Sequence, residues 1–277
     1  MQRCRLIREI RKVRWSRPEK KWGLIPTMGY LHEGHLSLVR RAREENEYVA
    51  VSIFVNPTQF APTEDLASYP RDLAGDLEQL ESAGVDVVFN PDEAEIYPPG
   101  FQTLVNVSEL TKPLEGASRP THFEGVTTIV AKLFNIVQPH RAYFGQKDAQ
   151  QAIIVQRMVA DLHFNLQIVV CPIVREPDGL AMSSRNARLT PPQRAAAPIL
   201  YRALAEARDA VAMGERDASA LRARMVAKIS AEPLAHLDYV SIADPRTLEE
   251  LDVIGSHVLF SGAVFFGDVR LIDNILI

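Results

Sequence analysis

Two histidines and two glycines in one short segment carry the strongest chemical pattern of the chain. The segment 26–35 reads Pro-Thr-Met-Gly-Tyr-Leu-His-Glu-Gly-His and follows the apolar pair Leu24 and Ile25. A strand that turns at Gly29 into a helix should direct several free N–H groups and the positive helix end at one place, which suits an anion such as phosphate. We expect His32 and His35 to donate hydrogen bonds to phosphoryl oxygens there.

The same histidines permit two other interpretations. Zinc-binding helices of metalloproteases space two histidines four residues apart, whereas His32 and His35 are three apart at a strand-to-helix turn. Two histidines with a purely structural role in a loop are the other alternative, and the flanking glycines count against it. The pattern therefore favours phosphate chemistry.

A second polar segment, Asn56-Pro57-Thr58-Gln59-Phe60, follows the apolar run 49–55. Its two amide side chains beside an aromatic ring suit the hydroxyls or the carboxylate of a small polar substrate. The alternative is an ordinary Asn-Pro turn.

Two further segments offer charge for phosphates. Lys147 lies two residues after Gly145, at the end of a short strand, which repeats the geometry of the first turn, although an exposed surface lysine is the alternative. The loop 175–186 ends in two hydroxyls and a guanidinium, Ser183-Ser184-Arg185, which would form a mobile phosphate clamp.

Asp76 is the candidate metal ligand. It lies in a predicted helix, with Gln79 one turn further, and its carboxylate could face a magnesium ion bound to nucleotide phosphates. A solvated helix residue is the alternative.

The elements that must position these side chains alternate between strands and helices, which indicates an α/β protein with a Rossmann-like parallel sheet. Because the run 49–55 is apolar without interruption, we expect its strand to be covered on both faces. The patterns predict strands at 22–28, 48–55, 85–90, 103–107, 142–144 and 166–170, and helices at 35–46, from 69 to 84, up to 137 and around Gln150 and Gln151. An apolar stripe of Leu6, Ile7, Ile10 and Val13 predicts a short N-terminal helix.

After Pro191 and Pro192 the composition changes to helix rich in Ala and Arg, from about 193 to 230 and broken at Gly214. Strands follow around 237–242 and 257–273. We therefore predict two domains, a Rossmann-like catalytic domain at 1–173 and a smaller α+β lid domain at 174–277.

Bulk properties narrow the class of protein. The chain has 277 residues and a formal net charge of −4, so nothing suggests a surface that binds nucleic acid. Cys4 and Cys171 form neither a disulfide framework nor a zinc ribbon, which fits a reducing, cytoplasmic location. No apolar run is long enough to span a bilayer, and the Arg-rich start is better explained by the N-terminal helix than by a transit peptide.

Taken together, the motifs resemble those of the pantothenate synthetase (pantoate–β-alanine ligase) family, within the H-x-G-H nucleotidyltransferase superfamily related to class I aminoacyl-tRNA synthetases. The resemblance covers essentially the full length. Its landmarks are Pro26 to Gly29, His32 to His35, Phe54 to Phe60, Tyr69 to Arg71, His122 to Val126, Tyr143 to Asp148 and Arg175 to Asn186.

The resemblance implies an ATP-dependent condensation in two steps. The carboxylate of pantoate attacks the α-phosphorus of ATP and releases pyrophosphate, and the amine of β-alanine then attacks the pantoyl adenylate and releases AMP. It further implies Mg²⁺ bound with the co-substrate ATP, a homodimer, and no nucleic-acid or membrane partner.

The site residues implied by the resemblance fall into four sets. The catalytic set is His32, His35, Lys147, Ser183, Ser184 and Arg185. The ATP set adds Met28, Gly29, Gly145, Gln146, Asp148, Val174 and Met182, with Asp148 reaching the ribose hydroxyls. Pantoate would be held by Met28, Asn56, Gln59 and Gln151, and Asp76 with Gln79 would lie near the magnesium.

Two departures and two alternatives remain. Gln146 stands where the family usually has Glu, and Gly75 stands where some members place a second acidic residue beside Asp76, which puts protein ligation of magnesium in doubt. Another adenylyl- or cytidylyltransferase with a different acceptor is the first alternative. A non-catalytic nucleotide-binding protein is the second.

Overall fold

The computed structural model describes residues 1–61 and 66–277. The chain divides into two compact units, one of Met1–Gly145 with Ile154–Pro172, the other of Gln146–Ile153 with Ile173–Ile277. The sequence predicts a single boundary after residue 173, with one continuous segment in each domain. The structure in addition groups the short segment Gln146–Ile153 with the second unit.

The first unit is built on a six-stranded parallel sheet. Its strands are β1 (Gln2–Cys4), β2 (Trp22–Thr27), β3 (Tyr48–Ile53), β4 (Val87–Phe89), β5 (Arg141–Gly145) and β6 (Gln167–Cys171). Their order across the sheet is β1-β4-β3-β2-β5-β6. Val49, Ala50 and Val51 on β3 are fully buried, as the uninterrupted apolar run requires. The predicted parallel α/β architecture is confirmed.

Helices connect these strands. They are α1 (Ile7–Trp15), α2 (Glu33–Glu45), α3 (Leu73–Ser82), α4 (Glu93–Ile96), α5 (Glu115–Ser118), α6 (His122–Val137) and α7 (Ala149–Asp161). The predicted N-terminal stripe is confirmed, because Ile10 and Val13 on α1 are buried. None of the helices in the described part of the chain is long and apolar enough to cross a membrane.

The strand order places a switch point between β2 and β5. From β2 the chain adds β3 and β4 on one side, and later β5 and β6 on the other. Parallel sheets bind ligands beyond the carboxyl ends of their strands at such a point. β2 pairs with β3 from Trp22 opposite Tyr48 to Thr27 opposite Ile53. The segments that follow Thr27 and Ile53 therefore start side by side.

Two strand predictions need correction. β1 pairs in parallel with β4 but was not predicted, because three residues that read Gln-Arg-Cys carry no apolar pattern. The strand predicted at 103–107 is absent from the described residues. There, Val105 N–H donates to Thr128 Oγ1 and its carbonyl accepts from Thr127 Oγ1, so hydroxyls of a helix bind backbone groups that a strand would use.

The second unit carries a three-stranded antiparallel sheet of β7 (His236–Ala243), β8 (Leu259–Phe266) and β9 (Val269–Leu276). The single stretch predicted at 257–273 is thus a hairpin that turns at Gly267, where φ is +61°. Helices α8 (Pro191–Ala196), α9 (Ile199–Ala212) and α10 (Ala218–Ser230) belong to the same unit, whose core contains Leu204, Leu221 and Phe260. The predicted smaller α+β region is confirmed.

Candidate active site

The histidine segment leaves β2 at Thr27 and reaches α2 through a turn of unusual backbone conformation. Gly29 has a φ of +83° and Tyr30 a φ of +52°. A Cβ atom added at Gly29 would lie 2.9 Å from Asp76 Oδ2 and 3.1 Å from Ile53 Cγ2. Only glycine therefore fits at this position.

The backbone N–H groups of this turn are mostly not free, contrary to the prediction. Most of its amides have acceptors within the protein, and the donors concerned are Gly29, Tyr30, Leu31, His32, Gly34 and His35. The reason is local, since a left-handed turn followed by a capped helix directs its N–H groups at neighbouring side chains. An anion bound here would therefore meet the histidine side chains and the helix dipole rather than several free backbone N–H groups.

The two imidazoles are held in a defined orientation. His32 caps α2, because its Nδ1 accepts from Gly34 N–H at 3.1 Å, and His35 Nδ1 accepts from His32 N–H at 3.3 Å. Their ring centroids lie 4.1 Å apart. Because a nitrogen that accepts carries no proton, both neutral rings hold their proton on Nε2. Each half-buried histidine therefore presents an N–H donor on the side away from the helix backbone.

Asp76 lies beneath this turn. Its side chain is buried, with 2% of its surface exposed, and its two oxygens accept from Tyr30 N–H at 2.8 Å and Leu31 N–H at 2.7 Å. Burial raises the pKa of Asp76, while the hydrogen bonds from Leu31 and Tyr30 act in the opposite direction. The alternative of a solvated helix residue is excluded.

Asp76 does not fit the predicted magnesium site. Both of its oxygens are directed at backbone amides inside the protein rather than at an open position. Across residues 1–61 and 66–277, no group of three or more His, Cys, Asp or Glu side chains could hold a metal ion. Nearby Gln79 is directed at its own helix, where Nε2 donates to Gly75 O at 3.4 Å. We therefore assign no protein ligand to magnesium.

Asn56 and Gln59 follow β3, with Gln59 in a short 3₁₀ turn at Pro57–Gln59. Asn56 is 1% exposed. Its Nδ2 donates to Gln59 Oε1 and Gly125 O, both at 3.1 Å, and its Oδ1 accepts from the hydroxyls of Thr58 and Tyr97 at 3.0 and 2.7 Å. All four hydrogen-bonding positions of the amide are thus used within the protein. This arrangement argues against the predicted contact of Asn56 with pantoate and makes it a brace for Gln59.

Gln59 and Met28 lie together, because Gln59 Nε2 donates to Met28 Sδ at 3.0 Å. The main-chain carbonyl of Gln59 is held by His122 Nδ1 at 2.9 Å and by Arg119 Nη2 at 3.3 Å. Thus two of the predicted pantoate residues meet within the first unit. The role of Arg119 seen here is to brace this turn.

In the second unit, Lys147 lies in a 3₁₀ turn at Gln146–Asp148 that precedes α7. Its ammonium group is 3.6 Å from Asp148 Oδ1. Asn274 on β9 donates through Nδ2 to the carbonyls of Gln146 and Lys147, both at 2.9 Å, and accepts from Gln146 Nε2 at 3.0 Å. Asn274 was not identified from the sequence. A polar Asp273-Asn274 pair between the apolar pairs 271–272 and 275–276 of β9 was the available signal.

The loop predicted as a mobile clamp begins with a well-bonded hairpin. Met182 N–H donates to Val174 O at 3.0 Å, which brings together two predicted adenosine contacts, and Arg175 pairs with Ala181. Arg175 forms a bidentate ion pair with the buried Asp273, at 2.6 and 2.9 Å. Burial raises the pKa of Asp273 against the opposing effect of this ion pair.

The hydroxyl and guanidinium groups follow the hairpin directly. Ser183 Oγ accepts from Arg185 N–H at 3.2 Å and caps a 3₁₀ helix at Ser184–Arg188. Lys147, Ser183 and Asp273 line one small cleft of the second unit. The structure thus brings an ammonium group and a hydroxyl of the predicted phosphate set together.

Two predicted residues have no described polar role. Gly145 ends β5 opposite Cys171. Gln151 lies half-buried on α7, one residue from the buried Gln150. Their predicted roles toward ATP and pantoate stay predictions.

Comparison with known proteins gives one consistent answer. The family model described as pantoate-beta-alanine ligase matches residues 2–276. Pantothenate synthetase from Roseiflexus castenholzii is 63% identical over 255 residues, 92% of each chain. The solved pantothenate synthetase from Thermus thermophilus has a TM-score of 0.95 and 47% identity over 99% of both chains.

A solved pantoate-beta-alanine ligase from Francisella tularensis, complexed with beta-gamma ATP and beta-alanine, has a TM-score of 0.81 and 37% identity, and the match covers 100% of this chain and 97% of that one. The resemblance inferred from the motifs is thereby confirmed. The chain therefore belongs to the pantoate-beta-alanine ligase family, the enzymes that form pantothenate.

Proposed function

We propose that the chain condenses pantoate and β-alanine through a pantoyl adenylate. In the first step a carboxylate oxygen of pantoate bonds to the α-phosphorus of ATP, and the bond to the bridging oxygen breaks to release pyrophosphate. In the second step the amine of β-alanine attacks the acyl carbon, and AMP leaves with the oxygen that had joined the two. An amide and a proton are the remaining products.

The observation that carries this proposal is the pair of backbone hydrogen bonds that hold the His32 and His35 rings. Both Nδ1 atoms accept backbone N–H groups, so both Nε2–H groups are donors at the carboxyl end of β2. Preorganised donors stabilise the negative charge that develops on phosphoryl oxygens in the transition state. Neither histidine needs to move a proton for this role.

Lys147, Ser183, Ser184 and Arg185 are proposed to neutralise the phosphates and the departing pyrophosphate. Lys147 and Ser183 line one cleft, which supports a common role for an ammonium and a hydroxyl toward one anion. The reaction needs no nucleophilic side chain, because pantoate and β-alanine supply both nucleophiles. Positioning and charge stabilisation are then the main contributions of the protein.

For pantoate we propose Gln59 and Gln151 as polar contacts and Met28 as an apolar one. Support for Gln59 comes from its bracing, since Asn56, Arg119 and His122 all hold this residue. A braced amide offers a fixed donor or acceptor to a small substrate at little entropic cost. Asn56 then acts through Gln59.

Gly145, Gln146, Asp148, Val174 and Met182 are proposed to bound the adenosine site, as the family resemblance implies. The Val174 to Met182 pairing supports a shared surface for these two residues. Mg²⁺ is proposed only as the ion that accompanies ATP, and no step is assigned to a protein-bound metal.

The direct test is pantoate-dependent exchange of labelled pyrophosphate into ATP, measured in magnesium buffer without β-alanine. Addition of β-alanine should then release AMP in proportion to the pantothenate formed. Exchange that depends on another acceptor, such as nicotinamide mononucleotide, would contradict the proposed first step. ATP binding without any turnover would point to a non-catalytic nucleotide-binding protein.

We also infer a cytoplasmic, homodimeric enzyme. Both cysteines are buried free thiols, which suits a reducing compartment. The dimer rests on the family resemblance, and light scattering of the purified protein tests it.

A further inference from the structure

The buried carboxylate of Asp76 contacts the turn before His32, where the backbone of Gly29 and Tyr30 has positive φ. Tyr30 has a φ of +52°, a conformation that is unfavourable for an L-residue with a bulky side chain. It follows Gly29, also left-handed at +83°. Glycine adopts this conformation readily, whereas Tyr30 keeps it only where the surroundings determine it.

The two oxygens of Asp76 contact the backbone of this turn at Tyr30 and Leu31. Oδ2 accepts from Tyr30 N–H at 2.8 Å and Oδ1 accepts from Leu31 N–H at 2.7 Å, so one carboxylate binds two successive amides. Hydrogen bonds to an ionised acceptor are stronger than those between neutral groups. Gly29 is needed for the same contact, because a Cβ there would lie 2.9 Å from Oδ2.

The next residue after Leu31 is His32, whose N–H donates to His35 Nδ1 and whose ring caps α2. The direction in which the chain leaves Leu31 therefore sets the position of His32 and, through it, the tautomer of His35. A shift of this turn would move both Nε2–H donors.

We propose that Asp76 is a positioning residue that fixes the turn Gly29–Leu31 and thereby places His32 and His35, rather than a ligand of magnesium. The inference rests on the proposed role of the two histidines toward ATP. It accounts for a carboxylate that is buried, bonded through both oxygens and without acidic neighbours in a metal-binding cluster among the described residues.

Asp76→Asn is the informative variant, because it keeps the shape but places an NH₂ group against one of the two amides. Asp72→Asn is the matched control, since it makes the same charge change on the N-cap of the same helix, where Asp72 Oδ1 accepts from Gly75 N–H at 3.0 Å. We expect D76N to lower the rate of pantoate-dependent pyrophosphate exchange by about a hundredfold, and D72N to change it by less than about threefold. Equal rates for D76N and wild type would overturn the proposal.

The magnesium dependence separates positioning from ligation. A lost ligand should raise the Mg²⁺ concentration for half-maximal exchange by about tenfold or more, whereas a positioning residue should leave it within about twofold. A tenfold rise in D76N would therefore overturn the proposal. In a background that carries both His32→Ala and His35→Ala, D76N should lower the residual exchange by less than about threefold, because both residues through which it acts are gone. A hundredfold loss in both backgrounds would contradict action through the two histidines.

Amide hydrogen exchange of the wild-type protein tests the contact without any variant. Tyr30 and Leu31 should be protected, and in folded D76N their exchange should accelerate by at least about tenfold while the amides of β3 are unchanged. Unprotected amides in the wild type would overturn the proposed contact. Failure of the proposed function itself would be distinct, since wild-type protein would then show no pantoate-dependent exchange.

Discussion

Asn274 holds Lys147 by its main chain, with 2.9 Å between Asn274 Nδ2 and the Lys147 carbonyl oxygen. The same Nδ2 also donates to the carbonyl of Gln146, and Asn274 N–H donates to Asp273 Oδ1 at 2.7 Å. Asp273 in turn binds Arg175, at the base of the hairpin that precedes Ser183. One dipeptide of β9 thus connects two segments that carry proposed phosphate-binding side chains.

This connection predicts that Asn274→Ala lowers pyrophosphate exchange by about tenfold to a hundredfold, because Lys147 loses the contact that fixes its turn. In a Lys147→Ala background the same change should add less than about threefold. Asn135→Ala is the control, since Asn135 Nδ2 also donates to a main-chain carbonyl, that of Ala131, but on an exposed part of α6. Additive losses in the double variant would show that Asn274 acts by another route.

Substitutions of His35 can distinguish the roles of its two ring nitrogens. In His35→Asn the amide lies near the position of Nδ1, so the contact with His32 N–H can persist while the Nε2–H donor is lost. His35→Gln places an NH₂ donor near the position of Nε2 instead. We expect H35N, like His35→Ala, to lower exchange by on the order of a hundredfold or more, and H35Q to retain several times the rate of H35N. A folded H35A with near-wild-type exchange would remove His35 from the mechanism.

Gly125 permits α6 to approach the Asn56–Gln59 turn. A Cβ at this position would lie 2.4 Å from Thr58 O and 2.6 Å from Gln59 N, both backbone atoms that cannot move aside alone. We expect Gly125→Ala to destabilise the fold by about 1–3 kcal/mol and to raise KM for pantoate in the exchange assay. Gly255→Ala, where a Cβ meets nothing within 4 Å, is the control and should change neither quantity measurably. A G125A protein with normal stability and KM would show that this turn does not hold pantoate.

The hydrogen bond between Glu45 and Tyr143 should stabilise the fold in a pH-dependent way. A hydrogen bond from the buried hydroxyl of Tyr143, at 2.8 Å, and the neighbouring Arg41 hold the pKa of Glu45 below its ordinary value of 4.5. Because the folded pKa is depressed, this contribution is fully present above pH 4.5 and is lost as pH falls through the folded pKa.

Tyr143→Phe should therefore lower the free energy of unfolding by about 1.5–3 kcal/mol at about pH 7 and by less below about pH 4. Urea unfolding at the two pH values measures both quantities. Tyr48→Phe removes a hydroxyl from a half-buried ring on β3 and serves as the control. A penalty for Y143F that is the same at both pH values would mean that the charge of Glu45 is not involved.

Asp76 and Asn56 show the limit of inference from sequence alone. Asp76 lies in a helix and Asn56 follows a strand, as the sequence predicts. Both side chains were expected to face a ligand. In the fold, Asp76 binds amides 45 and 46 positions away, and Asn56 binds the carbonyl of Gly125, 69 positions away. The sequence around a polar residue is the same whether the partner of its side chain is a substrate or the protein itself.

Periodicity and turn chemistry determined most of the architecture, because the apolar strands and the amphipathic helices encode their own local conformation. The motifs also determined the family, since the spacing of His32, His35, Asn56, Lys147 and Ser183 is written along the chain itself. The tertiary structure alone decided the strand order, the pairing of β1 and the absence of a strand at 103–107 in the described chain. It also decided which polar groups have partners, because hydrogen bonds between distant residues depend on distances that only folding sets.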